Sequence, residues 1–346
     1  MTDVLQCETL YNKLKVRLLE FIEQESPHML PSEKELIKKY GVSRNTVRRA
    51  IQELCNDGIM KTVQGIGTLV LSPANKMGKG MILVIRTKDI FPFQQDVLDE
   101  LLTSLNSYRL NTLLIVMERG KPDMERLDFL ISKSDGIIID QITSFSSEIC
   151  AKLLAVKKRS VCLRWHNEMF PFPYVREDVE NGFYQITKHL IELGHRRIAF
   201  LGNTNDVERM NGMNKAFAES RLALDPALSI NSYGARNVGY NAATELLNRK
   251  LRFSAVICHS DDMALGVMER LMIAGLKIPE QVSIIGFDNI KDADKFLVPL
   301  TTCGVPLDKI VNAAIGMLLN QSPEAAESKC FVPELIVRNS TAKAVS

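Results

Sequence analysis

The 346-residue sequence is poor in the features that mark secreted, membrane-spanning and disulfide-stabilised proteins. Its seven cysteines stand singly, without a C-x-x-C pair, and most lie in apolar runs such as AVIC and SVCLRW. We therefore expect buried free thiols in a reducing compartment. No apolar run reaches the roughly 18 residues that span a bilayer. The first twenty residues, MTDVLQCETLYNKLKVRLLE, lack the apolar core of a signal peptide. The sequence predicts a cytoplasmic protein with no membrane partner.

Motifs for catalysis, cofactors and metals are also missing. The sequence contains no HExxH, G-x-S-x-G, GxGxxG or P-loop, and its five histidines are isolated from one another. The G-I-G of residues 65–67 lacks the third glycine and the following helix of a dinucleotide-binding loop. His195, in GHRR, is expected in a surface turn before a strand. We expect no cofactor, no metal and no enzymatic activity.

The composition provides apolar material for more than one core. The chain is 46% hydrophobic and 24% charged, and its formal net charge of +2 is too small to indicate nucleic acid by itself. Its length exceeds the roughly 100 to 200 residues of one domain. The character of the sequence changes once, at SPANKMGKG, which contains proline, glycine and lysine without periodicity. We predict an N-terminal domain over residues 1–71, a linker over 72–80 and a larger domain over 81–340.

The larger part alternates short apolar runs with amphipathic helical segments. The runs are MILVI, TLLIV, GIIID, SVCLRW, RIAFLG, SAVICHS and VSIIGF, and helical segments between them include DVLDELLTSLNSY, FYQITKHLIELG, MALGVMERLMIAG and KIVNAAIGMLLN. Strands without polar alternation are buried on both faces, which indicates parallel sheets covered by helices. Seven predicted strands are more than we expect in a single sheet of this kind. We therefore predict an α/β domain of two doubly wound lobes, with ligand bound in the crevice between them.

The first 71 residues predict an α+β head of three helices and a hairpin. The first helix carries apolar residues at helical spacing: Leu10, Leu14, Leu18, Phe21 and Ile22. Ser32 and Glu35 form a capping-box pattern at the start of the second. Gly41 ends that helix, and Ser43 is placed to cap a third that begins at Arg44. The following GIMKTVQGIGTLVL has the pattern of two strands with a glycine-bearing tip. This order is typical of a winged helix-turn-helix.

The third helix, from Arg44 to about Asn56, separates into two faces. Val47, Ala50, Ile51 and Leu54 fall on one stripe, whereas Asn45, Arg48, Arg49 and Gln52 fall opposite, with Arg44 at the edge. The N-terminal part of such a helix enters the major groove, where arginine and asparagine form bidentate contacts with guanine and adenine. We expect Arg44, Asn45 and Arg48 to meet bases or phosphates and Arg49 to contact the backbone alone. The alternative is an ordinary solvated basic face.

Residues 30–70, LPSEKELIKKYGVSRNTVRRAIQELCNDGIMKTVQGIGTLV, resemble the winged helix of the GntR family of transcriptional regulators almost position by position. Family members often carry arginine where Lys34 stands. The resemblance implies DNA contacts at Lys34, Ser43, Arg44, Asn45, Thr46, Arg48, Gln64 and Gly65.

The segments VENGFYQITKHLIELGHRRIAFLGN and AVICHSDDMALGVMERLMIAGLKIPEQVSIIGFDNIKDADKFLVPLTTCGVP are similar to the effector domain of LacI-type repressors. That domain shares its fold with periplasmic sugar-binding proteins. A GntR-type head on a LacI-type body resembles the arabinose repressor subgroup of the GntR family. The resemblance implies a homodimeric repressor on a palindromic double-stranded operator, released by a small molecule that is commonly a sugar.

Effector contacts are expected where polar side chains follow the apolar runs, since ligands of open α/β lobes bind at the carboxyl ends of strands. Arg209 and Asp288 rank highest, because they match the ligand-gripping arginine and carboxylate of the LacI family, and both groups form bidentate hydrogen bonds. The other candidates are Trp165, Arg119, Asp140, Ser260 and Phe93.

Several of these positions have competing interpretations. Trp165 could stack on a sugar ring or pack in the core, and both readings stay open. The lactose repressor has asparagine where Ser260 stands. Asp261 is expected to cap the helix that it begins. Asp178 matches a recurrent LacI-family aspartate and could equally serve the crossover between lobes. The sequence SPANKMGKG does not resemble the helical hinge of LacI-type repressors, which favours a flexible tether.

Three classes of function follow. The favoured one is a sequence-specific DNA-binding regulator, a repressor controlled by a small-molecule effector. The alternatives are a cytosolic sugar-binding protein and an α/β enzyme of carbohydrate metabolism. The missing catalytic motifs argue against the enzyme, and the DNA-reading head argues against a binding protein alone.

Overall fold

The computed structural model describes most of the chain in eleven stretches: residues 10–25, 29–56, 59–63, 67–70, 80–87, 92–117, 123–140, 147–156, 158–164, 172–320 and 327–344. Four of the residues proposed as contacts lie outside these stretches: Gln64, Gly65, Arg119 and Trp165. So do residues 72–79 of the predicted linker.

The head consists of three helices followed by a hairpin. The elements are α1 (Leu10–Glu25), α2 (Glu33–Tyr40), α3 (Arg44–Asn56), β1 (Met60–Val63) and β2 (Gly67–Val70). The two strands pair antiparallel, with Met60 opposite Val70 and Val63 opposite Gly67. The predicted winged helix-turn-helix is therefore confirmed.

The helix ends in the head follow from local hydrogen bonds that the sequence predicts. The Ser32 hydroxyl accepts from the Glu35 amide, and the Glu35 carboxylate accepts from the Ser32 amide at 2.8 Å. Gly41 ends α2 with a φ of 63°, a left-handed conformation that glycine adopts without a Cβ penalty. The Ser43 hydroxyl then accepts from the Thr46 amide at 3.2 Å and caps α3. The turn between α2 and α3 is thereby fixed.

The predicted apolar stripe of α3 is buried in full against α1 and the hairpin. Its members Val47, Ala50, Ile51 and Leu54 share one core with Leu14, Leu18, Ile22, Leu36, Met60 and Val70. Leu10, the first residue of the stripe predicted for α1, is instead 70% exposed. The head therefore has its own core, and the polar face of α3 is left outside.

The first lobe of the body alternates strands and helices. Its elements are β3 (Met81–Thr87), α4 (Pro92–Ser107), β4 (Asn111–Met117), α5 (Met124–Lys133), β5 (Gly136–Asp140), α6 (Ser147–Ala155), β6 (Arg159–Leu163) and β7 (Tyr174–Glu177).

The second lobe continues the pattern and then returns to the first. Its elements are α7 (Val179–Glu192), β8 (Ile198–Gly202), α8 (Val207–Glu219), β9 (Ser229–Asn231), α9 (Arg236–Asn248), β10 (Ala255–Cys258), α10 (Asp261–Ile273) and β11 (Ser283–Ile285). The returning elements are β12 (Thr302–Gly304), α11 (Leu307–Asn320), β13 (Lys329–Phe331) and β14 (Glu334–Ile336). None of the described helices is both long enough and apolar enough to cross a bilayer.

Both main sheets are parallel. The first has the strand order β13-β7-β6-β5-β3-β4 and the second β11-β10-β8-β9. β5, β8 and β10 are buried along their whole length, as expected for strands covered on both faces. The predicted pair of doubly wound lobes is confirmed. Because the chain passes between the lobes after β7, β12 and β13, the carboxyl ends of both sheets face one crevice.

The structure corrects the expectation for His195, which is not in a surface turn. It is 2% exposed, and its Nδ1 lies 2.9 Å from the Ser254 hydroxyl. Its Nε2 lies 3.0 Å from both the Ser283 hydroxyl and the Ala342 carbonyl. Burial lowers the pKa of the imidazole, with a smaller opposing effect from the Ala342 hydrogen bond. His195 therefore ties the C-terminal segment to the edge of the second sheet.

Glycines set the distance between helices in the second lobe. A Cβ on Gly266 of α10 would lie 1.9 Å from the Arg236 carbonyl oxygen, and one on Gly239 of α9 would lie 2.1 Å from the Met263 carbonyl oxygen. The two backbones therefore touch at both glycines, and the close approach depends on having no side chain there.

Replacing Gly266 with alanine should destabilise the second lobe by about 3 kcal/mol, the upper end of typical overpacking. The reason is that backbone atoms, unlike a side-chain end, cannot rotate away. The control is Gly275→Ala, where nothing lies within 4 Å and only the φ of 85° is unfavourable. Thermal unfolding should rank Gly266→Ala below Gly275→Ala, and the reverse order would contradict the close-approach argument.

Candidate functional site

The N-terminal end of α3 exposes the polar residues predicted to meet DNA. Arg44, Asn45 and Arg48 are exposed, and Thr46 is half-buried with its hydroxyl 2.8 Å from that of Ser43. Lys34 is exposed on the preceding helix. The structure therefore places Lys34 and the α3 candidates at exposed or half-buried positions of the head.

The guanidinium groups of Arg44 and Arg48 share one carboxylate. Arg44 Nε donates to Glu33 Oε2 and Arg48 Nε donates to Glu33 Oε1, each at 2.8 Å. The hydrogen bonds from Arg48 and Arg44 lower the pKa of Glu33. The sequence shows Glu33 only as an acidic residue that offsets part of the positive charge. Its bridging position depends on the turn between the two helices.

Arg49 takes a different direction from the other two arginines. Its guanidinium carbon lies 4.1 Å from the centre of the Tyr11 ring on α1, a cation–π arrangement. Its guanidinium therefore lies apart from Glu33, and the contact with the DNA backbone predicted for it stays a prediction.

A cleft that is partly open to solvent lies between the two lobes, with a cavity volume of about 70 Å³. Its lining combines predicted and unpredicted residues: Phe93, Gln94, Arg164, Arg209, Tyr233, Gly234, His259, Ser260, Asp262 and Asp288. The structure thus brings together Phe93, Arg209, Ser260 and Asp288. It does not bring Asp140 into the lining.

Arg164, which follows β6, is the central cation of the cleft and was missed from the sequence. Its Nε donates to Glu177 Oε1 at 2.8 Å, and its Nη2 lies 3.6 Å from Asp288 Oδ1. Its guanidinium carbon lies 4.1 Å from the centre of the Phe93 ring. Because Asp288 follows β11 of the second lobe, the Arg164–Asp288 ion pair crosses the cleft.

Backbone conformation supports a functional interpretation of this pair. Arg164 has a φ of 57° and Asp288 a φ of 110°, both in the range that side chains rarely adopt. Such conformations cost about 1 to 3 kcal/mol each and cluster at ligand sites. The surrounding structure therefore holds Arg164 and Asp288 in backbone conformations that are unfavourable by themselves.

Arg209 lies at the start of α8, beside the helix cap. The Asp206 side chain accepts from the Arg209 amide and from Arg209 Nη1, the latter at 2.6 Å. The guanidinium carbon lies 5.1 Å from the centre of the Phe183 ring and 5.6 Å from that of Phe287. Asp206 and the two rings therefore fix Arg209 at the wall of the cleft.

Family models match both parts of the chain. One described as bacterial regulatory proteins of the gntR family matches residues 8–70, and one described as a periplasmic binding protein-like domain matches residues 187–341. The arabinose metabolism transcriptional repressor of Geobacillus stearothermophilus is 30% identical over 364 residues, covering 96% of this chain and 97% of the relative. That of Halalkalibacterium halodurans is 29% identical over 379 residues, covering 98% of each.

Solved structures match the body. A LacI family transcriptional regulator from Enterococcus faecium with bound ribose aligns with a TM-score of 0.66 and 26% identity, over 76% of this chain and 100% of that one.

The chain belongs to the family of GntR-type repressors with a LacI-type effector domain. It is a DNA-binding transcriptional repressor under the control of a small-molecule effector, as the sequence predicted. Because the relatives regulate transcription, the expectation that the chain is not an enzyme is confirmed.

Two buried carboxyl groups of the repressor have raised pKa values. Burial raises the pKa of Asp288 to about 7, Arg164 and Arg209 oppose this, and Glu177 and Asp262 add to it. Burial likewise raises the pKa of Asp140 to about 6, against the effect of Arg86 and Arg164. Asp140 Oδ2 lies 3.6 Å from Arg86 Nε, behind the cleft wall. Asp140 therefore lies outside the lining of the cleft, paired with Arg86.

The structure changes the expected roles at the start of α10 and α7. Ser260, not Asp261, caps α10, because its hydroxyl accepts from the Met263 amide at 3.3 Å. Asp261 is fully buried and accepts from the Thr302 hydroxyl at 2.6 Å and the Ile290 amide at 3.0 Å. The prediction of a capping role for Asp261 is therefore wrong. Asp178 caps α7 by accepting from the Asn181 amide.

Some cleft residues carried no clear sequence signal. Gln94 lies on α4 and Tyr233 lies between β9 and α9. His259 and Asp262 lie beside Ser260 and Asp261, the two residues to which the sequence drew attention at this strand end. Burial, with a smaller contribution from the charge of Arg209, lowers the pKa of His259 well below its usual value.

Polar atoms without partners remain at the cleft and directly behind it. Arg164 Nη1, Arg209 Nε, Glu177 Oε2 and Asp140 Oδ2 are buried and have no hydrogen-bond partner among the described residues. Such groups are costly unless a bound molecule or water satisfies them. Within the described part of the chain, no three His, Cys, Asp or Glu side chains are grouped to hold a metal ion.

The raised pKa of Asp288 predicts a specific pH dependence of stability. Its folded pKa, about 7, lies above its ordinary value of 3.8, so the folded state keeps a proton that the unfolded state loses. The ligand-free wild type should therefore lose stability between about pH 4 and 7, at up to about 1.4 kcal/mol per pH unit from this group. Asp288→Asn should gain melting temperature relative to wild type as pH rises through this window.

The control is Asp292→Asn, since the Lys295 hydrogen bond lowers the pKa of this exposed carboxyl. Its melting temperature relative to wild type should show no such gain. A difference between Asp288→Asn and wild type that is flat from pH 4 to 7 would contradict the assignment.

Proposed function

We propose that a sugar bound between the lobes controls operator binding by this repressor. The observation that carries the proposal is a pair of buried guanidinium N–H groups without hydrogen-bond partners in the part of the chain that the structure describes, Arg164 Nη1 and Arg209 Nε, in a cleft that the carboxyl groups of Asp262 and Asp288 also line. A hydroxyl group both donates and accepts, so a polyhydroxylated molecule can satisfy both kinds of group. The related LacI family regulator with bound ribose supports the same class of ligand.

The cleft residues have distinct proposed roles. Arg209 and Asp288 hold the sugar hydroxyls, and Arg164 joins them from the opposite lobe. Phe93 provides an apolar face, and the Arg164 guanidinium lies 4.1 Å from the centre of its ring. Ser260 contributes a hydroxyl at the helix cap, and Asp140 orients Arg164. Arg119 and Trp165 remain proposed contacts on the basis of the sequence.

The effector acts by changing how the lobes meet. Because the Arg164–Asp288 pair already spans the cleft at 3.6 Å, a ligand that bonds both residues strengthens the link between the lobes. Shifting a population from 1:99 to 99:1 requires about 5.5 kcal/mol of differential affinity. Several charge-assisted hydrogen bonds of about 1.5 to 3 kcal/mol each can supply this.

The head reads the operator through the end of α3. The proposed contacts are Lys34, Ser43, Arg44, Asn45, Thr46, Arg48 and Arg49, together with Gln64 and Gly65, which the sequence places between β1 and β2. We propose that two copies bind a palindromic operator as a homodimer in the cytoplasm. In this arrangement residues 1–71 read DNA, residues 72–80 form the linker, and residues 81–340 bind the effector and the second copy.

The variant Arg209→Ala should keep operator affinity and lose release by the effector. The effector is first found by a thermal-shift screen of pentoses, hexoses and sugar phosphates, in which a ligand at 100 times its Kd stabilises by about 2.7 kcal/mol. Operator release is then titrated by fluorescence anisotropy. The control is Arg197→Ala, since Arg197 lies at the opposite end of β8 and pairs with Asp225. Normal release in Arg209→Ala would contradict the role of Arg209.

Arg48→Ala and Arg49→Ala should weaken DNA binding in different ways. If Arg48 contacts a base, its loss costs about 1 to 3 kcal/mol and relaxes the preference at one position. If Arg49 contacts the backbone alone, its loss weakens all sequences by a similar factor. Anisotropy with the operator and single-base variants distinguishes the two, and equal loss on every duplex for Arg48→Ala would exclude base readout by Arg48.

A further inference from the structure

Glu33 occupies an unexpected place for an acidic residue, in the middle of the surface that meets a polyanion. Its carboxylate accepts from Arg44 Nε with one oxygen and from Arg48 Nε with the other. Both arginine side chains remain more than half exposed, at 66% and 57%, whereas Glu33 is 33% exposed. One carboxylate therefore spans two guanidinium groups that are four residues apart on α3.

The geometry leaves the ends of both guanidinium groups available. An arginine has five N–H donors in a planar fork. The hydrogen bonds to Glu33 use the Nε donors, on the side of each group nearest the chain. The outer Nη donors are the ones that form a bidentate contact with O6 and N7 of guanine. Glu33 can therefore stay bound while both arginines contact bases.

Glu33 is itself firmly placed. It is the first residue of α2, where the helix dipole favours negative charge. The Ser32–Glu35 capping box fixes the start of that helix. Long arginine side chains lose rotamer entropy when they are immobilised, and a fixed carboxylate takes up part of that loss before DNA binds. The arginines are thus ordered by the protein rather than by the ligand.

The Glu33 carboxylate also reduces the net positive charge of the surface that binds DNA. Non-specific binding comes from neutralising phosphates with Lys and Arg, and it falls steeply with salt. Two unpaired arginines would attract any duplex, whereas two arginines sharing one carboxylate carry half the net charge. Direct contacts with bases depend on the geometry of the donors. The lower net charge therefore weakens operator binding less than it weakens binding to unrelated DNA.

We propose that Glu33 is a positioning residue that determines the specificity of the repressor. It orients Arg44 and Arg48 for base contacts and reduces their attraction to DNA of unrelated sequence. This inference rests on the proposed function, in which these two arginines contact the operator.

The test uses the full-length repressor and three substitutions. Glu33→Gln removes the charge, and Glu33→Asp keeps the charge but shortens the reach, so that it cannot bridge both arginines. Glu35→Gln is the matched control, because it removes a charge two residues away and glutamine still completes a capping box. The duplexes are an operator selected by the wild type from a random library and an unrelated sequence of equal length. Affinities are measured by anisotropy over a range of salt concentrations.

Glu33→Gln should bind the unrelated duplex several-fold more tightly, with a steeper dependence on salt, and its operator preference should fall at least about tenfold. Glu33→Asp should bind the unrelated duplex like wild type and still lose preference. Glu35→Gln should keep the preference within about twofold. Circular dichroism and thermal unfolding check that each variant is folded.

The outcomes separate this inference from the proposed function. Arg44→Ala and Arg48→Ala are measured in parallel. If they retain full operator preference, the proposed DNA contacts are wrong. If they lose it while both Glu33 variants retain it, only the inference about Glu33 is overturned. A loss of preference in Glu35→Gln equal to that in Glu33→Gln would reduce the effect to net charge and also overturn positioning.

Discussion

A buried guanidinium must be paired with a carboxylate, and in this repressor the pairing of Arg164 joins the two lobes. Removing such a charge from water costs several kcal/mol, which is recovered only through close hydrogen bonds and ion pairs. Glu177 lies in the same lobe as Arg164, whereas Asp288 belongs to the other. The arrangement of the lobes is therefore tied to how completely Arg164 is satisfied. In the proposed mechanism, a ligand that offers hydroxyl groups at this point changes the balance between lobe positions directly.

The same chemical pair serves a different purpose on the head. Around Glu33 the ion pairs are largely exposed, and exposed pairs contribute little to stability because water competes for both partners. What they contribute is order in the long side chains. Around Arg164, burial makes the interaction strong but also raises the pKa of Asp288 towards neutrality. The ion pairs of Glu33 thus orient two arginine side chains at low energetic cost. The Arg164–Asp288 pair is a strong interaction that, in the proposed mechanism, a bound ligand alters.

Much of the architecture could be predicted because it depends on local signals. The capping and turn signals depend only on contacts within a few residues in the sequence, and they come from Ser32, Glu35, Gly41 and Ser43. The buried stripe of α3 follows from the helical spacing of its apolar residues. Contacts between distant segments were not accessible in this way. Arg164 and Glu33 acquire partners only when separate strands or helices come together. Asp261 is the clearest example of a contact that the sequence did not predict. Its hydrogen-bond partners Thr302 and Ile290 lie far along the chain, outside the helix that Asp261 begins. The short edge strands β9 and β13 also lack the long apolar runs that identified the central strands.

The hairpin of the head lies against the first lobe, which bears on how the two parts communicate. Lys61 of β1 donates to the Ser107 hydroxyl at 2.8 Å and lies 4.7 Å from the centre of the Tyr108 ring. Tyr108 in turn donates to the Asn312 side chain on α11 at 3.0 Å. Leu69 of β2 is buried in the same cluster as Tyr108. Because α11 packs against strands of the first sheet, a change in that lobe reaches the hairpin through packed side chains as well as through the linker. In the proposed complex with the operator, the position of β1 and β2 relative to DNA therefore depends on the first lobe.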